Sequence, residues 1–320
     1  MSPRRSPAGL YAARARQLVR RLPADRPVAV APPLPPGRVV TLPGRGDVFI
    51  RDADGPADQR PLLLLHGWIA SAEVNWFGVF RAFEGERRVI AIDHRGHGRG
   101  MHPAEPFRLV DCADDAAALL DVLGIDEAIV AGFSMGGPIA LCMARRRPDL
   151  VAGLVPASTA LVFSETWIER GRWRALRLLE LGLRIGVGER LVARLAADWG
   201  NVDERFAPYS SWLAGEIART LPHAVREAGA ELARFDARLW ASDLGVPAVV
   251  VVTEGDSLVP PSRQRALAAA LDADVVALTD ADHDVPISDI DTFADAIHTA
   301  VVQVDTAIGA FVEARPEARG

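Results

Sequence analysis

The sequence predicts an α/β fold: a mostly parallel, doubly wound sheet with a helical lid inserted in the middle of the chain. Three observations carry this. Short apolar runs that do not alternate, such as Pro61–Leu65, suit strands covered on both faces. Amphipathic stretches of helical length, such as Leu109–Leu123, lie between them, and that alternation asks for parallel strands with crossover helices. From about Ser158 to Leu239 the rhythm breaks into apolar and arginine residues at helical spacing, and then the alternation returns. A break that rejoins the same pattern reads as a lid on one domain. The expected division is a basic, proline-rich extension over 1–37, a core over 38–157 and 241–314, and a helical lid over 158–240.

In chain order, Leu10–Leu22 has the residues of a short basic helix, and six prolines between Pro23 and Pro36 make a stiff linker. The thin apolar face of that helix favours a packed or frayed extension over a membrane-surface anchor. Arg38–Leu42 and Asp47–Arg51 form a hairpin around Pro43-Gly44-Arg45-Gly46. Pro61–Leu65 is the next strand and ends in His66-Gly67-Trp68. A helix over about Ala72–Phe83 leads to a strand over Arg88–Ile92, which ends in a loop from Asp93 to Gly100. After the helix Leu109–Leu123 come a strand over Ala128–Ala131, a tight turn, a helix over Gly137–Arg145 and a strand over Leu150–Pro156. Beyond the insertion the pattern gives a strand Ala248–Thr253, a helix Ser262–Leu271, a strand Asp274–Leu278 and a closing helix Ile290–Val312.

Composition excludes several classes. With 320 residues, 49% of them hydrophobic, a sizeable core is available. A formal charge of −6 offers nothing to a phosphate backbone, so no nucleic-acid partner is expected. Every basic residue is arginine, which reads as a genomic bias. Two cysteines, Cys112 and Cys142, cannot staple a chain this long and read as buried free thiols of a reducing compartment. No apolar run of signal-peptide length precedes Pro23, so the expected location is cytoplasmic, with room for weak peripheral membrane contact through the extension. Oligomeric state is left open.

Ala128–Ala144 is the stretch that points to function. It has no charged residue, yet Gly132, Ser134, Gly136, Gly137 and Pro138 stand where a membrane-spanning helix would want bulk. Strand, turn and helix fit better, and no integral membrane span is expected. A tight turn forces its central residue into an unfavourable backbone conformation and demands small flanks. Gly132-Phe133-Ser134-Met135-Gly136 meets that demand. This G-x-S-x-G between strand and helix resembles the nucleophile elbow of the α/β-hydrolases.

A serine nucleophile needs a base and a group to orient it. The strand ending at Thr253 is followed by Glu254-Gly255-Asp256, and the strand ending near Leu278 by Asp280, Asp282, His283 and Asp284. These segments resemble the family's acid and histidine loops, which implies Ser134 as nucleophile, His283 as general base and Asp256 as orienting acid, with Glu254 its rival. Asp282 departs from the family, where many members carry glycine before the histidine; a stiffer, more acidic loop follows. His66-Gly67-Trp68 is similar to the family's oxyanion loop, so the Trp68 N–H is expected to join the Met135 N–H in holding the oxyanion, while His66 reads as structural. The single glycine of that loop implies esters of primary or secondary alcohols. The resemblance runs from about Val39 to Val312, the lid matching in position and helical character.

Asp93, His94, His97 and His102 lack the spacing of a zinc site, and the Gly44/Gly46 and Gly186/Gly188 pairs lack a phosphate-loop context. No metal and no cofactor are expected. Trp68, Trp76, Phe77, Phe133, Met135, Phe163 and Trp167 are the candidate contacts for an apolar ester substrate; for Phe163 and Trp167 ordinary helix packing is the competing reading. The expected activity is carboxylic ester hydrolysis through an acyl-enzyme. A perhydrolase or cofactor-free haloperoxidase and a carbon–carbon bond hydrolase use the same triad, and the loop and elbow sequences resemble the perhydrolase group closely. A non-catalytic ligand-binding member of the fold is the reading from another class.

Overall fold

The computed structural model describes residues 30–166, 169 and 207–314. Eight strands make one sheet: β1 (Gly37–Leu42), β2 (Gly46–Ala53), β3 (Leu62–Leu65), β4 (Val89–Ile92), β5 (Ala128–Phe133), β6 (Val151–Ala157), β7 (Val249–Thr253) and β8 (Asp274–Leu278). Their order is β1-β2-β4-β3-β5-β6-β7-β8. The hairpin and its junction with β4 are antiparallel, and every other pairing is parallel.

The sheet is covered on both faces because its central strands are apolar at every position. Leu63, Leu65, Ile90, Ile92 and Val130 face one layer, formed by α2 (Leu109–Leu123), α3 (Gly136–Arg146) and α6 (Pro261–Ala270). Their strand neighbours Leu62, Leu64, Val89, Ala91, Ile129 and Ala131 face the other, formed by α1 (Ala72–Ala82) and α8 (Ile290–Ala314). A strand turns successive side chains to opposite faces, so an unbroken apolar run supplies both cores at once. The short α7 (Val285–Ser288) precedes α8. Cys112 and Cys142 are free and buried, and burial raises both thiols, Cys142 to about 11.

Most elements fall within two residues of the expected bounds. The difference of consequence is in β5, which runs two residues past Ala131. Gly132 and Phe133 still pair with Pro156 and Ala157 of β6, so strand geometry persists up to the turn itself. The expected helix Leu10–Leu22 and residues 167, 168 and 170–206 of the expected lid lie outside the described residues. Within the segment 158–240, α4 (Ser210–Ala218) and α5 (Pro222–Arg234) are helical. The two ends of the segment 158–240 are tied by a bridge between Val162 and Asp236 and by the Ala237 N–H donating to the Leu161 carbonyl at 2.9 Å. Among the described residues no helix is long and apolar enough to cross a membrane.

Candidate active site

Parallel strands deliver their following loops to one edge of the sheet, and four such loops meet here. Ser134 sits between β5 and α3 with φ +51°, a left-handed backbone that costs a residue with a side chain about 1–2 kcal/mol. The surroundings impose it. The Ser134 N–H donates to the Ala157 carbonyl at 2.9 Å, and its carbonyl accepts the Gly137 N–H at 2.9 Å and the Thr159 hydroxyl at 2.8 Å. A Cβ on Gly132 would lie 2.3 Å from the Gly136 oxygen, and one on Gly136 would lie 2.0 Å from the Leu65 oxygen. Both flanks of the turn therefore have to be glycine, and the Ser134 hydroxyl stands clear of the backbone.

The loop after β8 brings His283 to that hydroxyl: its Nε2 is 2.9 Å from Ser134 Oγ. The loop after β7 supplies Asp256, whose Oδ2 lies 2.8 Å from His283 Nδ1. If Nδ1 carries the ring proton and donates it to the carboxylate, Nε2 is left as an acceptor facing the serine, the arrangement needed to withdraw a hydroxyl proton. Glu254 turns away to Arg265, so it does not compete with Asp256 for the ring.

Asp256 is held from five directions. Besides His283, its carboxylate accepts the N–H groups of Leu258 at 2.9 Å and Val259 at 2.7 Å, the Thr253 hydroxyl at 2.9 Å and the Gln264 side-chain amide at 3.0 Å. The fully buried Gln264, on α6, also accepts the Thr253 N–H and donates to the Val259 carbonyl. Sequence reasoning missed it, because nothing local distinguishes Gln264 from a surface helix residue. Asp282 ties the acid loop to the histidine loop: its Oδ1 accepts the Ser257 N–H at 2.8 Å and the His283 N–H at 2.6 Å. Burial works against the charge, yet these donors and the Ser257 hydroxyl bring its carboxyl below the ordinary value.

Across the site runs the His66–Ser71 loop. A Cβ on Gly67 would lie 3.3 Å from Ser134 Cβ, so this backbone passes directly beside the serine. His66 Nε2 accepts the His94 N–H at 3.0 Å, which puts the ring proton on Nδ1, donating to the Gly67 carbonyl at 2.7 Å. Burial, reinforced by its histidine neighbours, keeps His66 well below its ordinary value, and burial pushes His94 down to about 3 and His97 to about 4. Three neutral rings thus support the loop from beneath. Met135 is the N-cap of α3, whose first N–H groups have no partner within the helix.

Ser134 and His283 open onto a cavity of about 470 Å³ walled mainly by apolar side chains, among them Trp68, Val74, Phe133, Phe163, Leu213 and Ile287. Of the expected contacts, Trp68, Phe133 and Phe163 line it. Trp76 and Phe77 do not. The Trp76 ring is fully buried and packs beneath the sheet edge against Phe133 and Phe293, and Phe77 packs on Trp212 in a separate apolar cluster. Both sit on α1 near the His66–Ser71 loop in sequence, but the helix turns these positions inward. The Met135 side chain is likewise core and reaches the site only through its backbone. Trp167 lies outside the described residues.

A family model described as the alpha/beta hydrolase fold matches residues 60–289. A RutD protein of Caulobacter segnis, named for carbamate hydrolysis, is 27% identical over 247 residues, covering 76% of this chain and 91% of that protein. The 3-oxoadipate enol-lactonase 2 of Acinetobacter baylyi is 28% identical over 210 residues, 63% of this chain and 73% of its own. Among solved structures, a thermophilic esterase from Thermogutta terrifontis superposes with a TM-score of 0.69 at 24% identity, over 84% of this chain and 99% of that one.

Proposed function

The chain belongs to the alpha/beta hydrolase fold family, and we propose that this hydrolase is a serine carboxylesterase acting on small apolar esters through a Ser134–His283–Asp256 triad. The observation that carries the reading is the unbroken hydrogen-bonded line from Ser134 Oγ through His283 to Asp256, 2.9 Å and 2.8 Å long, opening onto the apolar cavity. In this reading Ser134 Oγ attacks the ester carbonyl while His283 takes the hydroxyl proton. The developing oxyanion is held by the N–H groups of Met135 and Trp68, each worth about 3 kcal/mol to the transition state. His283 then returns the proton to the departing alcohol. Water, deprotonated by the same ring, releases the acid and frees Ser134. Asp256 keeps the ring in the tautomer both steps need. The segment 158–240 acts as the lid, with Leu213, Ile217 and Leu232 of its described helices forming cavity wall.

The kinetic test is Ser134→Ala with p-nitrophenyl butyrate as substrate. The reading expects kcat to fall by at least about a thousandfold, because no other group replaces the nucleophile. Turnover that survives the substitution removes the triad. A carbamate is the second reading, favoured by a relative named for carbamate hydrolysis that this chain covers over 91% of its length. The same attack would expel an amine or alcohol from the carbamoyl carbon, and matched p-nitrophenyl ester and carbamate substrates separate the two by kcat/KM.

A further inference from the structure

The loop proposed to hold the oxyanion is strained, and part of what holds it comes from the inserted helices. Ile69 has φ +63°. A β-branched side chain in the left-handed region is a true outlier, at a cost of about 1–2 kcal/mol. Such a conformation persists only where the surroundings over-determine it.

From the core, the Asn75 side chain accepts the Gly67 N–H at 2.8 Å. From the insertion, the first turn of α5 accepts the Trp68 indole N–H on the Val225 carbonyl at 2.9 Å, and the Thr220 hydroxyl makes a longer 3.4 Å contact to the Ile69 carbonyl. These contacts flank the Trp68 peptide on either side. Behind them the insertion is locked to the core. Arg99 lays both guanidinium nitrogens on Glu216 of α4 at 2.8 and 2.9 Å and reaches Glu73 of α1 at 2.8 Å. The Leu221 N–H, in the α4–α5 joint, donates to the Gly96 carbonyl at 2.9 Å. Glu216 and Glu73 are both buried, so this is a shielded, forked ion pair rather than a surface one.

We propose that Trp68, Glu216 and Arg99 are positioning residues through which α4 and α5 hold the strained 67–71 loop in its oxyanion-binding form, so that stabilisation of the transition state depends on the seated position of the insertion. The idea rests on the Ser134 triad reading and adds to it a claim about the insertion. In a mere cover, α4 and α5 would affect how tightly substrate binds. As a support for the oxyanion loop they affect how fast bound substrate reacts, because a displacement of about 1 Å at a reacting centre can cost about a hundredfold.

The test uses Trp68→Phe, which removes the indole N–H and keeps an aromatic ring, and Glu216→Gln, which keeps the shape and drops the charge. Butylboronic acid serves as transition-state probe: its boron accepts a lone pair from Ser134 Oγ, the hydroxyl proton passing to His283, to give a tetrahedral anion in the oxyanion site. The expected result for Trp68→Phe is a kcat lower by about tenfold with KM within about twofold, and butylboronic acid affinity reduced in step with kcat. Glu216→Gln is expected to move both in the same direction by about threefold, and it carries the test should Trp68→Phe fail to fold. Wild-type kcat and boronate affinity in both variants, with only KM raised, would overturn the proposal. Failure of the triad reading shows separately, as turnover that survives Ser134→Ala.

Discussion

At the scale of the residue, geometry separates groups that sequence alone treats alike. Glu254 and Asp256 stand two positions apart after the same strand, but only Asp256 receives a ring of donors and the His283 imidazole. The strand end fixes which of the two turns inward. Gln264 belongs to the same local machinery: its amide bridges Thr253, Val259 and Asp256. Gln264→Leu keeps the volume and removes the bridge. Steady-state kinetics with p-nitrophenyl butyrate should show kcat lower by about tenfold and KM changed by less than about twofold, since an acid that swings misplaces the base without touching the substrate cavity. An unchanged kcat would mean that the backbone N–H groups of Leu258 and Val259 suffice to orient Asp256.

Secondary-structure elements were the most legible level, for a physical reason. Strands such as Leu62–Leu65 are buried on both faces, so their apolar runs are continuous, and the flanking glycines of Gly-x-Ser-x-Gly mark a turn with no room for a Cβ at either position. The candidate site residues Ser134, Asp256 and His283 were legible because each follows a strand end. Trp76 and Phe77 do not line the cavity: closeness in sequence to the His66–Ser71 loop says nothing of which side a helix presents. Their burial is decided by Phe293 of α8 and Trp212 of α4, more than 100 residues further along the chain. Gln264 and the Trp68–Val225 contact were illegible for the same reason, as each is a bond between distant segments. The shift of β5 to Phe133 follows from pairing with β6, which periodicity within β5 cannot report.

For the whole molecule, the buried histidines under the His66–Ser71 loop set an acid limit. The unfolded chain protonates His66, His94 and His97 near pH 6.5, while the fold, by burial, pushes His94 to about 3, His97 to about 4 and His66 well below its ordinary value. Stability from these rings is present above pH 6.5 and is lost as pH falls below it, each contributing a slope of up to about 1.4 kcal/mol per pH unit. Asp93 acts the other way: burial raises it from 3.8 to about 7, so it favours the fold increasingly as pH falls from 7 towards 3.8. Three groups oppose one. Thermal melting at constant ionic strength should therefore give a lower Tm at pH 5 than at pH 7.5, with a flatter dependence in His94→Gln. A Tm that holds or rises on acidification would mean that the histidines are solvated or paired in solution.

The central claim is that Ser134 becomes covalently acylated. Rapid acid quench of the enzyme during turnover of p-nitrophenyl butyrate, followed by peptide mass spectrometry, tests it directly. A butyryl adduct is expected on the peptide carrying Ser134, appearing with a burst of nitrophenolate and absent from Ser134→Ala. Steady turnover with no adduct on that peptide, or with the acyl group on another side chain, contradicts it.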